Sequence, residues 1–219
     1  ERIAHTNTAA RISLLKEWAQ LEEDAFEDPA RAAELYERVL QIVPGHGDAL
    51  RSLSRIYLTL GNVELAVTSL ERDRDGREGL DRANRELEIG RVLLERAGRP
   101  HEAFDAVLRA QALAGDSPEV VQLLESMLPQ AEIRARVAEL LETIYIVQND
   151  HAKRIHVLEV LVMTRSAKED RVRTLERLAE VHESSGDEAK AVDALARAAR
   201  EFPADLPFWE RFADLATKA

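Results

Sequence analysis

The chain repeats itself. A small residue followed four positions later by a larger apolar one recurs at Ala32/Tyr36, Ala66/Leu70, Ala103/Val107 and Ala191/Leu195. The first three small positions are spaced 34 and 37 residues apart, and the register passes through Arg154, 51 residues after Ala103 and 37 before Ala191. Recurrence at this period means that one supersecondary unit is used several times, each copy covering a face that its neighbour cannot bury alone. The local spacing says what that unit is made of. Leu50, Leu53, Ser54 and Tyr57 fall at i, i+3, i+4 and i+7, and so do Leu175, Leu178, Ala179 and His182. This is helical periodicity. No stretch of period-two alternation is long enough to predict a strand.

Proline and glycine divide the helical segments. Asp28-Pro29, Ser117-Pro118 and Asp205-Leu206-Pro207 read as an N-cap followed by proline in a first turn, where its missing N–H costs nothing. Gly61-Asn62, Gly98-Arg99-Pro100 and Gly186-Asp187 read as a helix stop followed by a start. Gly90 alone lies inside a helical pattern, which predicts a close helix crossing. The breaks leave about twelve helices, near 8–24, 29–43, 47–60, 62–74, 79–97, 100–114, 118–128, 131–148, 151–165, 168–185, 188–201 and 206–218. Hydrophobic residues make up 45% of the chain and aromatics 5%, an Ala- and Leu-rich balance that favours helix and permits a core.

Charge and missing residue types exclude several functions. A net charge of −11 over 219 residues disfavours a nucleic-acid surface. The absence of cysteine removes disulfides, thiol nucleophiles and thiolate metal sites. No apolar run approaches the roughly 18–20 residues that span a bilayer, so no membrane insertion is expected. The start, Glu1-Arg2-Ile3-Ala4-His5, has neither an initiator methionine nor a signal-peptide core. It reads as a piece of a longer protein, expected in the cytoplasm, with the periplasm also compatible.

The segment Leu175-x2-Leu178-Ala179-x2-His182-x3-Gly186-Asp187-x3-Ala191-x3-Leu195-x2-Ala198-x4-Pro203 resembles the tetratricopeptide repeat (TPR), a helix–turn–helix of about 34 residues. Trp209-x2-Phe212-Ala213 restarts it. Ala32-x3-Tyr36 with Pro44, Leu50 to Leu70, Ile89-Gly90-x2-Leu93 with Ala103 to Ala110, and Leu141-x3-Tyr145 with Leu158 and Leu161 repeat it in phase. The resemblance covers nearly the whole chain and extends to the long TPR arrays of GC-rich bacteria. It implies an all-α fold, a right-handed α-solenoid of about twelve antiparallel helices. The expected layout is one solenoid over 1–219, with regular repeats over 13–114, an irregular half-repeat over 115–148 and repeats over 135–219. The 51-residue interval predicts one extra helix there, and Glu132 to Ala138 resembles a HEAT-type helix. Trp18-Ala19-x2-Glu22 with Tyr36-Glu37-Arg38 resembles a HAT repeat over one unit. Two positions depart from the pattern. Arg154 occupies a crossing slot and is expected to snorkel outward, and Asp73 stands where a small apolar residue is preferred, so its helix is expected to fray.

Nothing in the sequence calls for catalysis, a metal or a cofactor. His151 and His156 are five apart and share no helix face, and His182 takes a slot where TPRs usually carry tyrosine, so packing explains it. Pro44-Gly45-His46-Gly47-Asp48 lacks the P-loop's GxxxxGK[ST] and fits an inter-repeat turn. The resemblance implies a non-catalytic scaffold that binds a protein, peptide or partner helix along a concave face lined by the first helix of each repeat. Arg51, Arg55 and Arg91 would form a basic patch there, and Glu176 and Glu180 an acidic one. The Lys/Asn clamp for carboxylate tails is absent, because the aligned slots hold Glu17, Leu21, Arg51 and Arg55. Phe208, Trp209 and Phe212 on the last helix suggest end-on contact, either with further repeats or with a second copy. The alternatives are a regulatory arm of a larger enzyme or transcription regulator, and a self-associating assembly component.

Overall fold

A computed structural model describes residues 2–201 together with 209 and 213. Those residues form eleven α-helices and no strand: α1 (Arg2–Asp24), α2 (Pro29–Ile42), α3 (Gly47–Thr59), α4 (Val63–Asp75), α5 (Gly79–Glu95), α6 (Pro100–Ala114), α7 (Pro118–Met127), α8 (Arg134–Gln148), α9 (His151–Thr164), α10 (Lys168–Ser184) and α11 (Glu188–Glu201). The fold is the all-helical repeat expected of an α-solenoid. The twelfth expected helix, 206–218, lies largely outside the described residues, although Trp209 and Ala213 are helical. α1 begins six residues earlier than its apolar pattern, within a polar stretch that carries no start signal.

The boundaries follow from local chemistry. The Asp28 carboxylate accepts the Arg31 amide at 2.9 Å ahead of Pro29, and the Asp150 carboxylate accepts that of Lys153 at 3.0 Å. Each satisfies an amide that a helix start leaves unpaired. The His46 ring takes this role for α3, accepting from the Ala49 amide at 3.3 Å. Gly61 and Gly186 close their helices with φ of +76° and +79°, a region that side chains disfavour.

The chain divides into two compact units, Glu1–Leu123 and Leu124–Ala219, with the division inside α7. In the first unit, α1 to α6 pack each on the next. Leu35, Tyr36, Val39, Leu50, Leu53 and Ile56 interleave between α2 and α3 in its core. Ala32, Ala66 and Ala103 have no exposed surface, so the second helix of each pair lies close against its neighbours. In the second unit, α8 to α11 stack in the same successive way, with Leu141, Ile144, Leu158, Leu161, Leu178 and Leu195 buried. Gly90 sits at a close crossing. A Cβ there would come within 3.3 Å of the Ala103 carbonyl oxygen and 3.4 Å of Val107 and Leu123.

Two expectations are corrected. Asp73 does not fray its helix, because α4 continues to Asp75 and the carboxylate is 3% exposed. Arg77 Nη2 donates to its Oδ1 at 3.0 Å, and Arg85 Nε lies 2.9 Å from its Oδ2. Arg154 does not snorkel into solvent either. It turns along the α8–α9 contact toward the buried Glu142 carboxylate, 3.6 Å away. Both positions hold a charged residue where the repeat wants a small one, and both resolve the conflict by pairing inside the structure.

Gly90→Val tests the tight crossing. A Cβ carrying two methyls, set against a helical carbonyl, cannot be accommodated by a rotamer change, so the variant should lose about 1–3 kcal/mol of stability in urea unfolding. A variant as stable as the parent would show that the crossing is not close.

Candidate binding surface

The residues predicted to contact a partner fall on separate elements. Arg51 and Arg55 are exposed one turn apart on α3, the first helix of its repeat. Arg51 pairs with Asp48 on its own helix, and Arg55 reaches across to Glu23 on α1. Lys16 Nζ on α1 donates to Asp48 at 2.8 Å. The first-helix face of α1 and α3 is therefore a ladder of opposite charges. Ala9, Ile12, Ser13, Lys16, Glu17 and Gln20 form with His46 a shallow depression of about 370 Å³ beside it. Arg91 is exposed on α5. Glu180 is exposed and Glu176 half-buried on α10, in the second unit. Trp209 is 39% exposed, while Phe208 and Phe212 lie outside the described residues.

The charge pattern missed from sequence is internal. Three carboxylates are almost wholly buried, and each meets two arginines. Asp73 has Arg77 and Arg85. Glu86, 1% exposed, has Arg109 at 3.0 Å and Arg74 at 3.6 Å. Glu142 accepts from Arg177 Nη1 at 2.6 Å and faces Arg154. The dipeptide Asp73-Arg74 on α4 thus meets Arg85-Glu86 on α5 in crossed pairs. Gly47 leaves room for this cluster, since a Cβ there would come within 2.9 Å of Asp73 Oδ1. The signal available in the sequence was Arg154 itself, a charge in a crossing slot that demands a partner.

Glu86 also lies on a polar groove of about 480 Å³ between α4 and α6, walled by Glu71, Arg74, Arg82, Glu102, Asp105 and Arg109. A smaller apolar slot of about 380 Å³ opens in the second unit between Leu128, Tyr145, Ala152 and Val157. At its rim the Tyr145 hydroxyl donates to Glu125 Oε1 at 2.7 Å, and Lys153 Nζ donates to the same oxygen at 2.9 Å. Burial works against the Glu125 charge, yet these two donors outweigh it and hold the carboxyl below its usual range. Burial and the adjoining carboxylate push the Tyr145 hydroxyl well above 10, so it stays a donor. On α3, burial and Glu37 push the Tyr57 hydroxyl up to about 12, and it donates to Glu37 at 3.0 Å.

His182 is buried, and burial pushes its pKa down, keeping the ring neutral near pH 7. Among the described residues no group of three or more His, Cys, Asp and Glu side chains could hold a metal ion. Among the same residues no helix is long and apolar enough to cross a membrane.

Comparison with known proteins fits this geometry. A tetratricopeptide repeat model matches residues 25–75, spanning α2 to α4, and a second matches residues 172–215. The chain is a tetratricopeptide-repeat protein, a class of scaffold for protein–protein interaction. No curated protein matches it. Among solved structures it is similar to MamA at 19% identity and a TM-score of 0.37, over 82% of this chain and 92% of that one. It is similar to the TPR2AB domain of yeast Sti1, solved as a pHSP90 complex, at 14% identity and 0.48, over 96% and 84%. A TPR repeats protein from Bacteroides fragilis is similar at 11% identity and 0.47, over 95% and 99%.

The buried triad at Glu142 makes a double-mutant cycle informative. Glu142→Ala leaves two arginines facing an apolar contact and should cost about 3–5 kcal/mol in chemical unfolding. Glu142→Leu combined with Arg154→Leu should recover most of that loss, since an apolar pair fills the same space and Arg177, a third exposed, can turn its charge to solvent. Equal losses in both variants would mean that the carboxylate matters for something other than its charge.

Proposed function

We propose that the chain is a non-catalytic scaffold that holds an extended peptide or a partner helix on the face formed by the first helices of its repeats. Arg51, Arg55 and Arg91 supply basic contacts and Glu176 and Glu180 acidic ones, on one repeat array over 1–219 interrupted by the extra helix α7. One observation carries the reading. Arg51 and Arg55 stand exposed one turn apart, and the carboxylates they hold, Asp48 and Glu23, come from the chain itself. The Arg51–Asp48 pair is exposed on both sides, and such surface pairs contribute little to stability. A partner carboxylate can therefore replace the internal one at small cost, and arginine's planar fork suits that exchange. The site needs only the shape and charge of a helical-repeat face, and no reactive group. The cytoplasm is the compartment this reading assumes.

A second reading, self-association through the C-terminal helix, is favoured by Trp209, a large aromatic left 39% exposed.

Pull-down with the chain and with its Arg51→Glu/Arg55→Glu/Arg91→Glu variant tests the first reading. Partners held by this face should be recovered about tenfold less well by the variant, and more so at low salt. An unchanged set of partners would clear the three arginines of any role.

A further inference from the structure

The polar groove of about 480 Å³ between α4 and α6, the second helices of their pairs, has α5 as its floor. Register sorts its charges. Glu86 on the floor lies 3.6 Å from Arg74 of α4 and 3.0 Å from Arg109 of α6, which sets a common level across the three helices. Joined by short turns, α4 and α6 both run antiparallel to α5. From the Glu86 level, Glu71 stands one turn back along α4, and Asp105 and Glu102 stand one and two turns back along α6. All three fall toward the C-terminal end of α5, where Ile89 and Leu93 make the floor apolar. Arg82 stands one turn the other way. The groove therefore has carboxylates at one end and, in Arg74, Arg82 and Arg109, guanidinium groups at the other.

Most of these charges are already held. Arg99 holds Glu102, Asp75 and Glu86 hold Arg74, and Glu86 holds Arg109. Asp105 is engaged as well. Glu71 and Arg82 differ: both are half-buried, and among the described residues neither side chain has an ion-pair or hydrogen-bond partner. The helical rise places them about 10 Å apart along the groove. Partial burial costs each charge hydration that no counter-charge returns. We infer that this groove binds a small ω-amino carboxylate, an ammonium and a carboxylate at the two ends of an aliphatic chain, as in 6-aminohexanoate or free lysine. The carboxylate takes the planar fork of Arg82, the ammonium takes Glu71, and the methylenes lie over the apolar floor. Such a chain spans roughly 7 Å, and the two long side chains reach the rest. The site uses none of Arg51, Arg55 and Arg91 and does not depend on the reading above.

Calorimetric titration of the 219-residue chain tests this with 6-aminohexanoate, lysine, hexanoate and hexylamine. Each of the last two lacks one charge and should bind at least about tenfold more weakly than 6-aminohexanoate. Tighter binding of lysine would mark the amino acid as the better ligand, and weaker binding the chain without an α-ammonium; both carry the inferred dipole and support the inference. Arg82→Ala and Glu71→Gln should each cost 6-aminohexanoate about tenfold in affinity with helix content unchanged, since neither side chain holds another. Glu71→Arg should turn the preference to heptanedioate, which carries a carboxylate at both ends, a gain that misfolding cannot mimic. Arg51→Glu/Arg55→Glu/Arg91→Glu should leave 6-aminohexanoate bound. No binding of either dipole, equal binding of hexanoate and hexylamine, or binding that survives Arg82→Ala would overturn the inference.

Discussion

The close approach of paired helices at small residues is the constraint on which the structure depends. Ala32, Ala66, Ala103 and Ala191 have no exposed surface, and Gly90 faces the Ala103 carbonyl so closely that even a Cβ would be tight. A helix pair that crosses so tightly buries one face of each helix and leaves the other faces apolar. Those faces must meet the next helix, so burial in this chain is a matter of neighbours. Leu50, Leu53 and Ile56 on α3 show the consequence, being buried in one cluster with residues of α1 and α2 while α3 also packs on α4.

Charge obeys the same constraint. The repeat reserves its crossing and packing slots for small apolar residues, yet this chain places Asp73 and Arg154 in two of them. A charge confined there cannot reach water without opening the helix contact, so it must find a counter-charge within the contact. Asp73 with Arg77 and Arg85, and Glu142 with Arg154 and Arg177, are the outcome. Such triads add little net stability compared with an apolar filling, but breaking one by removing a single partner is costly.

How far the sequence could be read follows from the range of the interactions involved. The limits of α2, α3 and α6, the crossing at Gly90 and the packed His182 were legible, because caps, prolines and helical periodicity act over a few residues. The start of α1 was not, since no cap marks it. The fates of Asp73 and Arg154 depended on arginines arriving from a neighbouring helix, which a pattern read along one helix does not contain. Exposed arginines on a first helix were legible. That Arg51 and Arg55 already hold Asp48 and Glu23 was visible only once α1 and α3 lay side by side.

Native-state hydrogen exchange on the whole chain, compared with a Leu53→Ala variant, tests neighbour-dependent stability most directly. Leu53 is fully buried on α3, and its truncation should remove about 2–5 kcal/mol locally. If burial is a matter of neighbours, amide protection falls most in α2, α3 and α4, less in α5 and α6, and is unchanged in α10 and α11. Protection lost equally in every helix would mean that the chain unfolds as one indivisible body, and the account would be wrong.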